Sequence, residues 1–443
     1  MNHMPPSKPA PPVPDPPANP RSRNVLALGV VALTAAAVWA GLHPGPRNWG
    51  LHAPGFLPPS TRNLLLAAMV LSAAVALAGL LRPAGRAARN PSKSKRAAWP
   101  AQWPWILVVA WLGFGSLVPV KEALLGDSAI WIQAVQTDTL KLSSEPLAGR
   151  VLGTVADGLR AKGAAIDPSS LGVVSRVLAV PAAALSAGVA MEIAGSAGGA
   201  WGVPLALLLT LGTSQLYFGY VESYPIAFVL MLLVLWLGLR ALRGASPVAL
   251  AGAAIGVAGA GHFVALLLFP GYVYLVLRRA VPIGRRILEL LLPPAVLVVV
   301  CLLLRYDLRE FAHPFRVATQ SVDAVRTLGI FQRPYGAFSA AHANDVINAA
   351  LLAAPVALLL LAAGALALSR RWKEWDPRLL FLAAAAAGGG MAACALMTPV
   401  APVQDWDLFA LLIAPAGILG VAVASIAAPA WTRGTTGLGL AAL

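Results

Sequence analysis

Apolar residues fall in long blocks parted by short polar stretches, and many blocks reach the roughly 20 residues that a bilayer-spanning helix needs. Twelve spans follow from this pattern, at 24–42, 63–81, 103–120, 171–193, 202–220, 225–242, 248–261, 263–277, 287–304, 346–368, 379–397 and 408–427. The seventh and eighth are short and read either as a hairpin or as a re-entrant pair. Between the third and fourth spans the pattern changes. In "LLGDSAIWIQ" Ile130, Trp131, Ala134 and Val135 share one helical face. In "PLAGRVLGTVADGLR" Leu147, Val151, Val155 and Leu159 recur at four-residue spacing, with Arg150, Thr154 and Asp157 off the stripe. Both stretches predict short amphipathic helices lying along the membrane interface. The expected fold is an all-α polytopic membrane protein of about 12 transmembrane helices.

Composition agrees with this class. Of 443 residues, 58% are hydrophobic and only 12% charged, about half the charged share of a soluble domain. The two cysteines, Cys301 and Cys394, lie inside apolar runs and read as small core residues, not as a disulfide framework. A net charge of +15 would suggest a nucleic-acid partner in a soluble protein. Here it is assigned to lysine and arginine gathered in cytoplasmic loops, and no nucleic acid is expected. The first twenty residues hold nine prolines and no apolar signal region, so 1–23 reads as a Pro-rich cytoplasmic tail. Residues 24–102 form a two-helix addition with a basic loop, 103–427 a transmembrane core, and 428–443 a second cytoplasmic tail.

Charge sets the expected orientation. The segments 82–96, 240–243, 278–286 and 370–378 carry sixteen Lys or Arg and are placed on the cytoplasmic side. The opposite face receives 121–170, 305–345 and 399–407. Thirteen of the eighteen Asp and Glu lie on or beside it. Several stand at the mouths of spans, where charge meets desolvation, so candidate chemistry is sought there.

Gly126 permits a sharp exit from the third span, which sets Asp127 at the membrane boundary. In "YFGYVESYP" Tyr217, Tyr220 and Tyr224 crowd around Glu222. This is either an interfacial aromatic belt with one solvated acid or a subsite for sugar or headgroup hydroxyls. His262 joins two short apolar segments, as a hydrogen-bonded structural residue or as a contact to phosphate or substrate. The 305–345 loop holds five arginines and no lysine. Arg333 in "FQRPYG" is its candidate phosphate ligand, against solvated pairing with nearby acids for the others. His342, Asp345 and Asn348 share a face of an incoming helix and either cap it or line a cavity. In "VQDWDLFA" Asp405 and Asp407 flank Trp406; capping accounts for one carboxylate, and two suggest a substrate or metal role. No zinc, phosphate-loop or dinucleotide motif is present.

A Gly-Asp after an early span, two amphipathic interfacial helices and a fan of spans resemble the GT-C superfamily of integral-membrane glycosyltransferases. The "FGYVESYP" turn, the "GHFVALLLFP" hairpin and the "DWDLFA" tip look like segments of its bacterial members. The resemblance covers about residues 103–427. It implies a GT-C-like core in an inner (cytoplasmic) membrane, a polyprenyl-phosphate-linked sugar donor, and a glycan, lipid or protein acceptor. Asp127 matches the family's catalytic position in the first outer loop. Arg333 and His262 would hold the donor phosphate. Glu222, Tyr220, Tyr224, His342, Asp345, Asp405, Trp406 and Asp407 would contact substrate, and a divalent cation, magnesium or manganese, is the cofactor those acids could take. The chain departs from better-known branches in having no Asp-Glu pair after the third span. A transporter or flippase for a lipid-linked solute is the alternative from another class, and a non-catalytic assembly partner the third.

Overall fold

The computed structural model describes residues 20–45, 50–51, 53–81, 102–117, 128–138, 145–195, 201–310, 339–368, 375–395, 406–427 and 440. Three candidate site residues, Asp127, Arg333 and Asp405, lie outside them, as do most of the Pro-rich tail and the basic loop at 82–96. Among the described residues all regular structure is helical. The chain runs through α1 (Pro20–Leu42), α2 (Pro59–Leu81), α3 (Trp103–Leu117), α4 (Ser128–Gln136), α5 (Pro146–Ala161), α6 (Pro168–Leu171) and α7 (Val173–Ala194). It continues through α8 (Gly202–Leu209), α9 (Tyr224–Leu242), α10 (Val248–Gly261), α11 (Phe269–Arg278) and α12 (Ile283–Leu303). The last four are α13 (Ala340–Ala353), α14 (Pro355–Leu368), α15 (Pro377–Ala395) and α16 (Trp406–Ala427). Short 3₁₀ turns at Gly212–Tyr217 and Phe263–Leu268 precede α9 and α11.

Among the described residues seven helices are long and apolar enough to cross a membrane, eight if the bent pair α13–α14 counts as one span. This is a multi-pass membrane protein. The helix at the centre is α16, packed on α7, α8, α9, α13, α14 and α15. Of its spanning stretch 83% is buried within the protein, against 17% for α12 and 22% for α2, so whatever α16 carries at its head sits over the core. Small residues bring its backbone close to its neighbours: a Cβ on Gly420 or Gly389 would overlap the Ala357 or Leu412 carbonyl.

Two stretches expected as single spans are broken. Within 202–220, α8 stops at Leu209. The Thr210 hydroxyl turns back to the Ala206 carbonyl at 2.8 Å, and Gly212 lies so close to the Leu352 carbonyl that a Cβ would overlap it. Within 346–368 the chain bends by 104° between α13 and α14. Pro355 has no N–H to continue the ladder and restricts the residue before it, so Ala354 leaves the helical region (φ −158°, ψ 53°). The two breaks face each other, with Gly417 of α16 against Ala354 and Leu211.

The amphipathic helices are present with their buried faces rotated. In α4, Ser128, Ile132 and Val135 point inward while Ile130 is exposed. In α5, Ala148, Leu152 and Ala156 form the centre, and the Leu147–Val151–Val155–Leu159 stripe flanks it half-buried. Small alanines let α5 lie close to its support, which the larger stripe residues would prevent.

Charged groups sort to two ends. At one, Arg243 pairs with Glu192. Arg378 donates to the Glu192 and Ile193 carbonyls at 2.9 Å each, satisfying the open C-terminus of α7. Arg378 also grips Asp376 at 2.7 Å, and Arg279 and Arg285 share Glu289. Burial of Asp376 opposes its charge, but the Arg378 guanidinium outweighs burial and holds the carboxyl below its usual range. The described parts of three basic segments thus share one end, as the loop charges predicted.

Candidate functional site

The opposite end gathers polar side chains from four separate stretches of chain. The turn between the 3₁₀ segment and α9 is made by Gly219, whose φ of 102° suits glycine. The residues that follow, Tyr220, Glu222 and Tyr224, are thereby turned into the protein and are all buried. Glu222 is 3% exposed, so it is not the solvated acid of an aromatic belt.

Tyr220 links two carboxyl groups. Its hydroxyl donates to Asp407 Oδ2 and lies 3.4 Å from Glu222 Oε1. The Glu222 and Asp407 carboxyls are within hydrogen-bond reach of one another. Two carboxyl groups so placed do not both stay charged without a compensating proton or cation. Burial, and then the charges of Glu222 and Asp407, push the Tyr220 phenol far above its usual pKa, so it acts as a hydrogen-bond donor at every working pH.

Asp407 is in the first turn of α16 and is fully buried. Its Oδ1 accepts the Leu408 N–H at 2.9 Å, a local bond of the kind helix starts use. Its Oδ2 is taken by Tyr220, 187 positions away. Capping therefore explains one oxygen and the tertiary site the other. Beside it, Trp406 stands edge-on to Tyr220 with ring centroids 5.9 Å apart. Ser128, which directly follows Asp127, is buried at the start of α4 and comes within reach of the Tyr220 hydroxyl.

A second group adjoins the first through α9. The Tyr224 ring lies 5.0 Å from that of His262, on which Phe263 also stacks at 4.9 Å. His262 Nδ1 accepts the Val264 N–H at 3.2 Å. The neutral ring then carries its proton on Nε2, which faces Glu145 Oε1 at 3.3 Å. Burial pushes the His262 pKa down to about 3, so the contact is a neutral imidazole donating to a carboxyl group. Glu145 precedes Pro146 at the start of α5 and makes no side-chain cap bond there; it meets the α10–α11 tip through His262. Tyr306 lies close enough to feel Glu145, and burial first, then Cys301, Glu145, Glu310 and Asp307, push it up to about 12.

His342 and Asn348 tie α13 to other parts of the fold. His342 Nε2 bonds the Cys394 carbonyl at 2.9 Å. Asn348 accepts the Gly50 N–H at 2.9 Å and so holds the α1–α2 connection to α13. Asp345 is half-buried on the same helix. The cap of α13 is Ser339, which accepts the His342 N–H at 3.1 Å, and not one of the three residues expected to cap it.

Among the described residues no group of three or more His, Cys, Asp or Glu is arranged to hold a metal ion. Two functional candidates were absent from the sequence reading. Ser128 could have been suspected from its place after Asp127, and Glu145 from standing just before a Pro-initiated amphipathic helix. No protein-family model matches the chain, and no curated protein or solved structure does either.

Proposed function

We propose that this chain is a membrane glycosyltransferase of the GT-C type, which moves a sugar from a polyprenyl-phosphate donor to an acceptor hydroxyl at the outer face of a cytoplasmic membrane. The carrying observation is the convergence of Ser128, Tyr220, Glu222 and Asp407 at the end of the protein opposite the arginine network. That cluster has hydroxyl-binding chemistry, abuts the helix that follows Asp127, and sits beside an amphipathic pair at which a lipid-borne donor can enter sideways.

On this reading the seven long helices and the bent pair are joined by α3, α10, the 263–278 segment and α8 with its 3₁₀ extension, giving twelve passes with both termini cytoplasmic. The Asp127 carboxylate takes the proton of the acceptor hydroxyl as general base. The acceptor oxygen attacks C1 of the donor sugar, the C1–oxygen bond to phosphate breaks, and polyprenyl phosphate leaves with the electron pair. Arg333 offsets the charge of the leaving phosphate. His262, neutral and bonded to Glu145, instead fixes α5 against the α10–α11 tip.

The test is transfer by the purified protein in lipid nanodiscs, using radiolabelled polyprenyl-phosphate hexose and pentose donors with and without EDTA. Asp127→Asn is expected to abolish transfer while donor binding persists. Wild-type transfer rates in this variant would remove Asp127 from the mechanism.

One observation favours a lipid-linked solute transporter or flippase: the facing breaks at Thr210–Gly212 and Ala354, of a kind that carriers place near mid-membrane. Leu211, Ala353, Ala354 and Gly417 meet there, beside Thr210, whose hydroxyl returns to the Ala206 carbonyl, and Thr213, buried with its hydroxyl unpartnered among the described residues. Vectorial uptake into vesicles with no glycosidic product would favour transport.

A further inference from the structure

Among the described residues, two polar groups at the Tyr220 cluster have no hydrogen-bond partner. The indole Nε1 of Trp406 is buried and unpartnered, and Trp406 as a whole is 4% exposed. The Ser128 hydroxyl, on a residue 1% exposed, approaches the Tyr220 hydroxyl without closing a bond to it or to any other group. Buried polar atoms left in this state are uncommon and destabilising. Both stand at one place, beside the carboxyl groups of Glu222 and Asp407.

The types of these groups restrict what can complete them. An indole N–H only donates, so it cannot ligate a cation. A carboxylate only accepts, so an anion is repelled. A neutral ligand bearing hydroxyls satisfies both, because each hydroxyl donates to a carboxylate and accepts from the indole N–H or from Ser128. The Trp406 and Tyr220 rings add the aromatic surface that suits the C–H face of a sugar.

We propose that Ser128 and Trp406, with Tyr220, Glu222 and Asp407, form the subsite that holds the hydroxyls of a sugar ring by direct hydrogen bonds and without a metal. This deepens the glycosyl-transfer assignment and rests on it. The ring belongs either to the lipid-linked donor or to the acceptor.

The experiment uses full-length protein in nanodiscs, as wild type, Ser128→Ala and Trp406→Phe. The phenylalanine keeps an aromatic ring against Tyr220. Binding is measured in EDTA for three probes: polyprenyl-phosphate hexose, bare polyprenyl phosphate, and a methyl hexoside as acceptor mimic. Each variant should weaken binding of one sugar-bearing probe by about tenfold, equivalent to about 1.4 kcal/mol, with bare polyprenyl phosphate unchanged. Loss on the lipid-linked probe places the donor sugar here; loss on the methyl hexoside places the acceptor. A donor series lacking single hydroxyls should include one member to which wild type and the matching variant bind equally.

Unchanged sugar binding in both variants overturns the subsite, and the orphan groups are then water-filled. Equal weakening of the bare lipid overturns it too, because the effect is then on fold. Sugar binding that EDTA abolishes in the wild type shows a metal-held ring and also overturns it. If wild type transfers sugar while the variants behave as wild type, the subsite alone falls. If wild type neither binds nor transfers any sugar, both assignments fall.

Discussion

The bond between Tyr220 and Asp407 joins the turn before α9 to the head of α16, and its contribution can be isolated by a double-mutant cycle. Tyr220→Phe removes the hydroxyl alone. Asp407 Oδ2 then loses its donor in a fully buried setting, while Oδ1 keeps the Leu408 N–H. A side-chain hydrogen bond is worth about 0.5–1.5 kcal/mol net, and stranding a buried acceptor costs about 1–3 kcal/mol, so the expected loss is about 1–3 kcal/mol. Asp407→Asn presents one oxygen and one NH₂ to two donors, Tyr220 and Leu408, so one donor is left facing an NH₂. In that background the Tyr220 hydroxyl is worth at most a neutral bond of about 1 kcal/mol, and the coupling energy should be about 1–2 kcal/mol. The assay is reversible unfolding in mixed detergent–SDS micelles, followed by helical circular dichroism. Additivity within about 0.5 kcal/mol would mean that the two groups do not interact directly. So would a loss below that size for Tyr220→Phe alone.

Acidification should weaken the His262 region. Its folded-state pKa of about 3 lies below the ordinary value of about 6.5. The unfolded chain therefore takes up the proton first, and this component of stability is complete above pH 6.5 and lost as pH falls towards 3. Going from pH 7 to pH 5 should remove about 2 kcal/mol, and His262→Gln should abolish that part of the pH slope in the same unfolding assay; identical slopes would refute the buried neutral imidazole. At the helix break, Gly212→Ala sets a Cβ on the Leu352 carbonyl and should lower stability by about 2–4 kcal/mol. Gly390→Ala, where nothing lies within 4 Å of the added atom, should be neutral or stabilising by up to about 1 kcal/mol. Equal stability of the two variants would show that the 210–212 break is not held by that contact.

What could be read from the sequence was what each residue type must avoid. Lipid-length apolar runs had to become helices, because backbone groups in hydrocarbon find partners only within a helix. Arginines had to leave the hydrocarbon, and the Arg243, Arg279 and Arg378 ties share one end accordingly. Glu222 and Asp407 drew notice because a carboxyl group at the mouth of a span is costly unless something receives it. The identity of the receiver was hidden. Tyr220 meets Asp407 across most of the fold, and His262 meets Glu145 only because α5 returns to the α10–α11 tip. The breaks were hidden for a similar reason: the polar residues of "TLGTSQ" are scattered through an otherwise span-length run, and Gly212 becomes a stop when the Leu352 carbonyl arrives beside it. Asp407 stands in the first turn of α16, the most buried of the candidate spans among the described residues, so it is not a surface cap alone. One of its oxygens closes the helix start and the other is committed to Tyr220. Beside them the Trp406 indole and the Ser128 hydroxyl still lack a partner among the described residues, and the sugar-ring subsite proposed above stands or falls on those two groups.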